Sequence, residues 1–311
     1  MLIFEHVQIM TTEIRVLIGS TLLAAFAIGG FLLLRHGIYG WTMFVVAVLL
    51  GGLAAFVFDA ASGPRAAMVG ALTVLVSLFA LLLVRIEGLI CIMMAAPLAL
   101  PLGALGGLLV HFVTQSRVRS RGFAMLLLMP SASLPWDVTA KPPMFEVRSS
   151  LTIAAPPEVV WRNVVTFSDL PEPGEWFFRA GVAYPQRARI VGSGPGAIRY
   201  CEFSTGPFIE PIDIWDEARL LRFRVTENPA PMHEWSPYAD VLPRHLHGYL
   251  VSKQGQFRLT ALPGNRTLLE GTTWYQHGLR PAQYWRWWSD AIIHRIHLRV
   301  LTHIQRLSEN S

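Results

Sequence analysis

Seven of the ten histidines and most of the carboxylates of this chain lie in its C-terminal half, several inside otherwise apolar stretches. Glu202, Glu210 and Glu270 interrupt apolar segments, and His233, Glu234, Tyr249, Tyr275 and His294 are near enough in the chain pattern to join them. Carboxylates and imidazoles taken out of water titrate closer to neutrality, so the chemistry open to them is general acid and base catalysis, with Glu202, His233, Glu234 and Glu270 as the candidates. The alternative for a buried carboxylate is an ion pair with a strand arginine such as Arg199 or Arg258. His245 and His247, with His233 and Glu234, would suit a metal only if brought together, and their spacing is not that of a zinc site. Gly192 to Gly196 imitates a phosphate cradle, yet a strand pattern follows it where a helix would be needed, so it reads as a hairpin turn. No Ser-His-Asp or Cys-His motif is recognisable, and Cys91 and Cys201 suggest neither a disulfide nor a zinc site. No metal and no cofactor are expected.

The elements that must position these groups come in two kinds. The chain has 311 residues, 52% of them hydrophobic and 15% charged, a mixture that no single environment explains. Residues 1–121 hold only 11 of the charged residues, seven Arg and four acids, and the rest lie beyond. A membrane domain over 1–121 is therefore followed by a soluble one. Four uncharged apolar runs, about 16–34, 38–58, 66–84 and 88–113, are long enough to cross a bilayer, and their short connections imply an antiparallel bundle. The absence of charges inside the runs argues against a transporter. Gly103 and Gly107 form a small-xxx-small pair after Pro97 and Pro101, the mark of a kinked helix packed closely on a neighbour; dimerisation through the spans is left open. A cleaved signal peptide is not expected, because the first run starts late and others follow at once.

The net charge of +5 divides as +3 in front and +2 behind, so it forms no nucleic-acid face and reads instead as an orientation signal. Arg15, Arg65 and the cluster Arg117, Arg119, Arg121 fall on one side, Arg35 and Arg85 on the other, which places the N-terminus and the end of the fourth run on the cytoplasmic face of a plasma (inner) membrane. Residues 122–144 are a linker or a short fifth membrane segment. The 15 uncharged residues 122–136 would reach only about 22 Å as a helix, and we read them as interfacial, which leaves the soluble domain cytoplasmic; a spanning segment would put it outside.

The soluble region, 145–311, opens with an alternating strand at 145–153 and a helix after Pro157. Strands follow at 187–191, 197–204, 208–215, 220–226, 249–262 and 267–276, separated by turn residues. Residues 228–248 break the rhythm with four prolines and read as a functional loop or lid. Pro281 opens a long amphipathic helix with Trp285, Trp288, Ile292, Ile296, Val300, Ile304 and Leu307 at helical spacing. This order, with the opening run Ile153 to Trp161 and the middle strands Glu210 to Asp216 and Arg219 to Phe223, resembles the START-like (SRPBCC) superfamily of polyketide cyclases and lipid-transport domains over about 145–308. The resemblance implies an α+β helix-grip fold: a curved antiparallel sheet around a long C-terminal helix, here preceded by an all-α transmembrane bundle. It further implies a cavity for a lipid, sterol-like or polyketide-like ligand between sheet and helix. Trp176, Phe203, Tyr249, Phe257, Trp274, Trp288, Ile292 and His294 are the candidate ligand contacts. Binding of a hydrophobic ligand beside the bilayer is the favoured function, ahead of a cyclase- or hydrolase-type enzyme and of a membrane sensor or scaffold.

Overall fold

The computed structural model describes all residues except 1, 116–118, 239–240, 242 and 311; for 2–11, 119–124, 126 and 130 it describes the backbone alone. Arg117, one of the expected orientation signals, lies outside the described residues. The chain forms two compact units, Met1–Ala140 with Ser236–Arg244, and Lys141–Trp235 with His245–Ser311.

The first unit is helical: α1 Leu2–Arg35, α2 Trp41–Val57, α3 Gly63–Leu83, α4 Leu89–Gln115 and α5 Arg119–Thr139. Three helical segments, Thr12–Arg35, Gly63–Leu83 and Leu89–Gln115, are long and apolar enough to cross a membrane; α2 is shorter, at 17 residues. Helix α2 sits at the centre, packed by α1, α3, α4 and α5, and most of its residues are buried. It is apolar on every face because every face meets another helix. Glycines let α4 touch its neighbours backbone to backbone: a Cβ on Gly106 would lie 1.9 Å from the carbonyl oxygen of Val48 in α2, and one on Gly107 2.1 Å from that of Ala66 in α3. Close approach of this kind is what small residues at helical spacing supply where solvent drives no association.

The two ends of the bundle are marked by polar contacts. At one end Arg15 pairs with Asp59 at 2.6 Å, and His111 Nδ1 lies 3.2 Å from the carbonyl oxygen of Ala60. At the other, Asp137 near the end of α5 accepts from the backbone N–H groups of Trp41 and Thr42 at 2.9 and 2.7 Å and from the Thr42 hydroxyl at 2.7 Å. A carboxylate at a helix N-terminus satisfies donors that the helix itself cannot, and it meets the positive end of the dipole. Helix α5 therefore starts just after α4 and finishes at the opposite end of the bundle. The 15-residue apolar run is extended on both sides, to 21 helical residues, by charged residues at its two ends. Tyr238, from the 236–244 excursion, donates to the carbonyl oxygen of Leu83 at 3.1 Å and stacks under the Arg85 guanidinium. The long segment 228–248 thus contributes part of the first unit.

The second unit contains β1 Met144–Ile153, α6 Pro157–Val165, α7 Trp176–Arg179, β2 Pro185–Val191, β3 Ile198–Phe203, β4 Gly206–Asp216, β5 Leu220–Arg224, β6 Leu250–Leu262, β7 Arg266–His277 and α8 Ala282–Glu309. The seven strands form one antiparallel sheet in the order β1-β7-β6-β5-β4-β3-β2, so the first strand closes against the last. Register shifts near 185–187, 212–214 and 252–254 are the bulges that let such a sheet curl. The inner face follows from alternation: Phe145, Val147, Ser149 and Ile153 of β1 are buried, and their neighbours in sequence point outward. Helix α8 packs on this face through Val300, Leu301 and Ile304, joined by Val160, Trp161 and Val164 of α6. The fold is of α+β class, a seven-stranded antiparallel sheet with the long C-terminal helix packed on its inner face, as the order of elements implied.

Candidate ligand-binding site

Strands β3 and β4 place an ion pair on the inner face. In the β3/β4 register Arg199 stands opposite Glu210, and the guanidinium donates to the Glu210 carboxylate with side chains only 2% and 8% exposed. Three rings surround Arg199, with Phe167, Phe223 and Phe257 at 5.6, 5.5 and 5.5 Å from its Cζ. Its Nε–H is buried without a hydrogen-bond partner. Burial pushes the Glu210 carboxyl above its ordinary range against the opposing pull of Arg199. Burial would lower Arg199, yet the Glu210 carboxylate outweighs it and the guanidinium stays charged. The neighbouring Cys201 thiol is pushed up to about 12, first by burial and then by Glu210, so it is inert as a nucleophile. Phe203 and Phe208 face each other at 4.8 Å on the same side of the sheet.

A second polar group lies where α8 crosses β1 and β7. Ser149 Oγ is 2.7 Å from His294 Nδ1 and 3.1 Å from His297 Nδ1, and Thr273 Oγ1 is 2.8 Å from His297 Nε2. The Ser149 hydroxyl has one hydrogen, so it donates to one imidazole and accepts from the other. Burial, with His294 adding to it, pushes His297 down to about 4, which keeps the ring neutral at pH 7. Nearby, the Tyr275 hydroxyl donates to Asp290 at 2.6 Å, and Arg286 holds the other oxygen of Asp290 at 3.0 Å.

A depressed imidazole pKa means that the unfolded chain takes up a proton which the folded one resists. His297 therefore contributes stability that is whole above about pH 6.5 and lost as the pH falls toward about 4. Over that interval the wild-type chain is expected to lose on the order of 3 kcal/mol more stability than His297→Phe. Thermal unfolding of both proteins across this pH range measures the difference; parallel pH profiles would refute it.

The residues singled out from sequence fall in different places. Phe203 and Phe257 lie on the inner face with Arg199 and Glu210. Trp288 and Ile292 are half-buried on α8, and His294 is exposed at the edge while bonding Ser149. Glu202 points away from the grip, paired to Arg187 at 2.6 Å and Arg189 at 3.1 Å, and these hydrogen bonds hold its carboxyl below the usual range. Glu270, opposite Ser150 and Arg258, shares that outer face, as does Trp274, which donates to Glu146 at 3.0 Å. An inward catalytic role for Glu202 or Glu270 and an inward ligand contact for Trp274 thus give way to outward placements set by strand register. His233 and Glu234 lie in the segment after β5, where His233 N–H bonds the carbonyl oxygen of Gly181; Trp176 is 66% exposed on α7, and Tyr249 directly precedes β6. Ser149 and Thr273 were not singled out. A hydroxyl within the apolar stripe Phe145, Val147, Ser149, Leu151, Ile153 was the available signal for the first.

No protein-family model and no curated protein matches the sequence. Among solved structures, a norcoclaurine synthase point mutant from Thalictrum flavum in complex with a transition-state analogue is similar over 55% of this chain and 98% of its own, at 11% identity and a TM-score of 0.36. The Zhui aromatase/cyclase from Streptomyces sp. R1128 is similar over 54% and 95%, at 18% identity and a TM-score of 0.33. Ara h 8.0201 is similar over 54% and 100%, at 14% identity and a TM-score of 0.33.

Proposed function

We propose that the chain is a membrane-anchored binding protein whose helix-grip domain takes an apolar small molecule or lipid bearing one polar group. The observation that carries this reading is Arg199. Aromatic rings surround it, Glu210 neutralises it, and its buried Nε–H has no acceptor, which suits an apolar chamber with a single polar anchor. A cyclase- or hydrolase-type activity is the second reading, favoured by a neutral imidazole, His297, beside the Ser149 hydroxyl.

Anchoring rests on the three long apolar helices, and the side of the membrane on α5. At 21 residues it is about 31 Å long, matching a hydrocarbon core of about 30 Å. Its finish at the N-terminus of α2 supports a fifth span and a soluble domain outside the cytoplasm, in place of the interfacial helix read from sequence.

Mass spectrometry of an organic extract of the purified full-length protein is expected to find one apolar species enriched over the surrounding lipid. In Arg199→Met/Glu210→Leu, which keeps the volume and removes the anchor, that species is expected to fall about tenfold, the worth of one buried hydrogen bond. Extracts of both proteins matching the lipid background would overturn the reading.

A further inference from the structure

At the end of the bundle where Arg15 meets Asp59, the helices leave a cavity of about 60 Å³ between them. Arg15 of α1, Asp59 and Ala60 after α2, Ala66 of α3, and His111 and Thr114 of α4 line it. Arg15 is its cation, and one part of that cation is unused. Asp59 is held by Nη1 at 2.6 Å, while Nε–H is buried without a hydrogen-bond partner among the described residues. A guanidinium binds an oxyanion two-handed through the parallel N–H groups of one edge, and the edge that includes Nε is not the one Asp59 takes. The ion pair therefore explains only half of Arg15. The imidazole does not compete for the space: His111 Nδ1 faces the carbonyl oxygen of Ala60 and must carry its proton there, and Nε2 is met by the Gln115 amide at 3.0 Å. Thr114 Oγ1, which donates to the carbonyl oxygen of His111 at 2.9 Å, is a hydroxyl that can turn to a new acceptor.

The missing acceptor has a size, a charge and a setting. At about 10–15 Å³ for each water-sized group, the cavity holds roughly four, as many as a phosphate has oxygens. Phosphate alone would leave the Arg15–Asp59 site with a net negative charge at the edge of hydrocarbon, a costly arrangement. A primary ammonium on the same ligand removes that cost, because the Asp59 carboxylate is 75% exposed and open to a second donor. The setting is that of a lipid. Arg15 lies in the first turn of the apolar segment Thr12–Arg35, Leu17 and Ile18 just after it are 69% and 52% exposed, and Phe58 beside Asp59 is 67% exposed. We infer that the cavity binds the headgroup of an aminophospholipid of the phosphatidylethanolamine class, with the phosphate on the Nε edge of Arg15 and the ammonium on Asp59. A zwitterionic pair on the protein thus meets a zwitterionic headgroup with the charges reversed. The site lies wholly in the helical unit and rests on the reading of that unit as a membrane anchor.

The test is native mass spectrometry of the full chain released from nanodiscs that hold equal amounts of phosphatidylcholine, phosphatidylethanolamine and phosphatidylglycerol. One phosphatidylethanolamine is expected to stay bound about tenfold more often than either other lipid, the effect of one charge-assisted hydrogen bond. Choline has no N–H to give Asp59, and glycerol has no cation. Arg15→Gln is expected to lower retention about tenfold, whereas Asp59→Asn is expected to keep one bound lipid and to erase the preference for ethanolamine over choline. The second variant guards against misfolding, since Asp59 has φ 49°, a left-handed position that Asn accepts at least as readily. Equal retention of the three lipids by the wild type, a preference for phosphatidylglycerol, or an Asp59→Asn chain that selects as the wild type does would each overturn the site. Displacement of the lipid by equimolar glycerophosphoethanolamine would overturn the bilayer as its source. A failure of anchoring would appear separately, as release of the chain from membranes by alkaline carbonate.

Discussion

In intact bacterial cells, a membrane-impermeant maleimide is expected to label Ser311→Cys and to leave Ser62→Cys unlabelled, in a background lacking Cys91 and Cys201. The effect is all or none, because a fifth span exchanges one compartment for the other. Two physical arguments converge on it. Arginines set orientation, and Arg15 and Arg65 stand with Arg119 and Arg121 at one end of the bundle, against Arg35 and Arg85 at the other. Helix α5 then leaves the arginine-rich end and delivers Asp137 to the N-terminus of α2, a bundle length away. The carboxylate does not cross unpaired: it accepts two backbone N–H groups and a hydroxyl, which offsets much of the cost of placing a charge at the edge of hydrocarbon. Labelling of residue 62 with protection of residue 311 would reverse the orientation. Labelling of both or neither would remove α5 as a span.

Arg199→Met is expected to destabilise the soluble domain by about 3–5 kcal/mol, because it strands Glu210 as an uncompensated carboxylate in an apolar interior. For a domain of this size that corresponds to a fall in Tm of roughly 10 °C. The double variant Arg199→Met/Glu210→Leu is expected to recover most of the loss, since buried pairs replaced by apolar groups of similar volume are often neutral or stabilising. A thermal melt of the wild type and both variants distinguishes the cases. If the single variant melts with the wild type, the pair is not buried as a charged unit, and the polar anchor loses its basis.

The class of the soluble fold was legible because its signals are local. Seven alternating segments, turn residues between them and a terminal helix with a 3.6-residue apolar period leave few arrangements for a sheet to be covered by one helix. The site was legible only in outline. In β3 both stripes mix polar and apolar residues, Ile198, Tyr200 and Glu202 against Arg199, Cys201 and Phe203, so alternation alone does not say which faces inward. Pairing decides it: Arg199 opposes Glu210 of β4, and Glu202 is left outside with Arg187 and Arg189. Trp274 is sent outward for the same reason, by the partnership of Tyr275 with Phe145 next to it.

Composition by itself determined the division into an apolar helical front and a mixed, aromatic-rich back, and it marked which ends of the helices carry the arginines. Transfer free energies are properties of residues, so they can be read from a list of residues. The tertiary structure decided the two matters that depend on partners. Whether Glu210 is tolerable in a core depends on Arg199 eleven residues away. The apolar run after Arg121 extends through Asp137 into a bundle-length helix whose carboxylate is satisfied by α2, ninety-six residues earlier. A charge has no intrinsic address; the group that satisfies it supplies one.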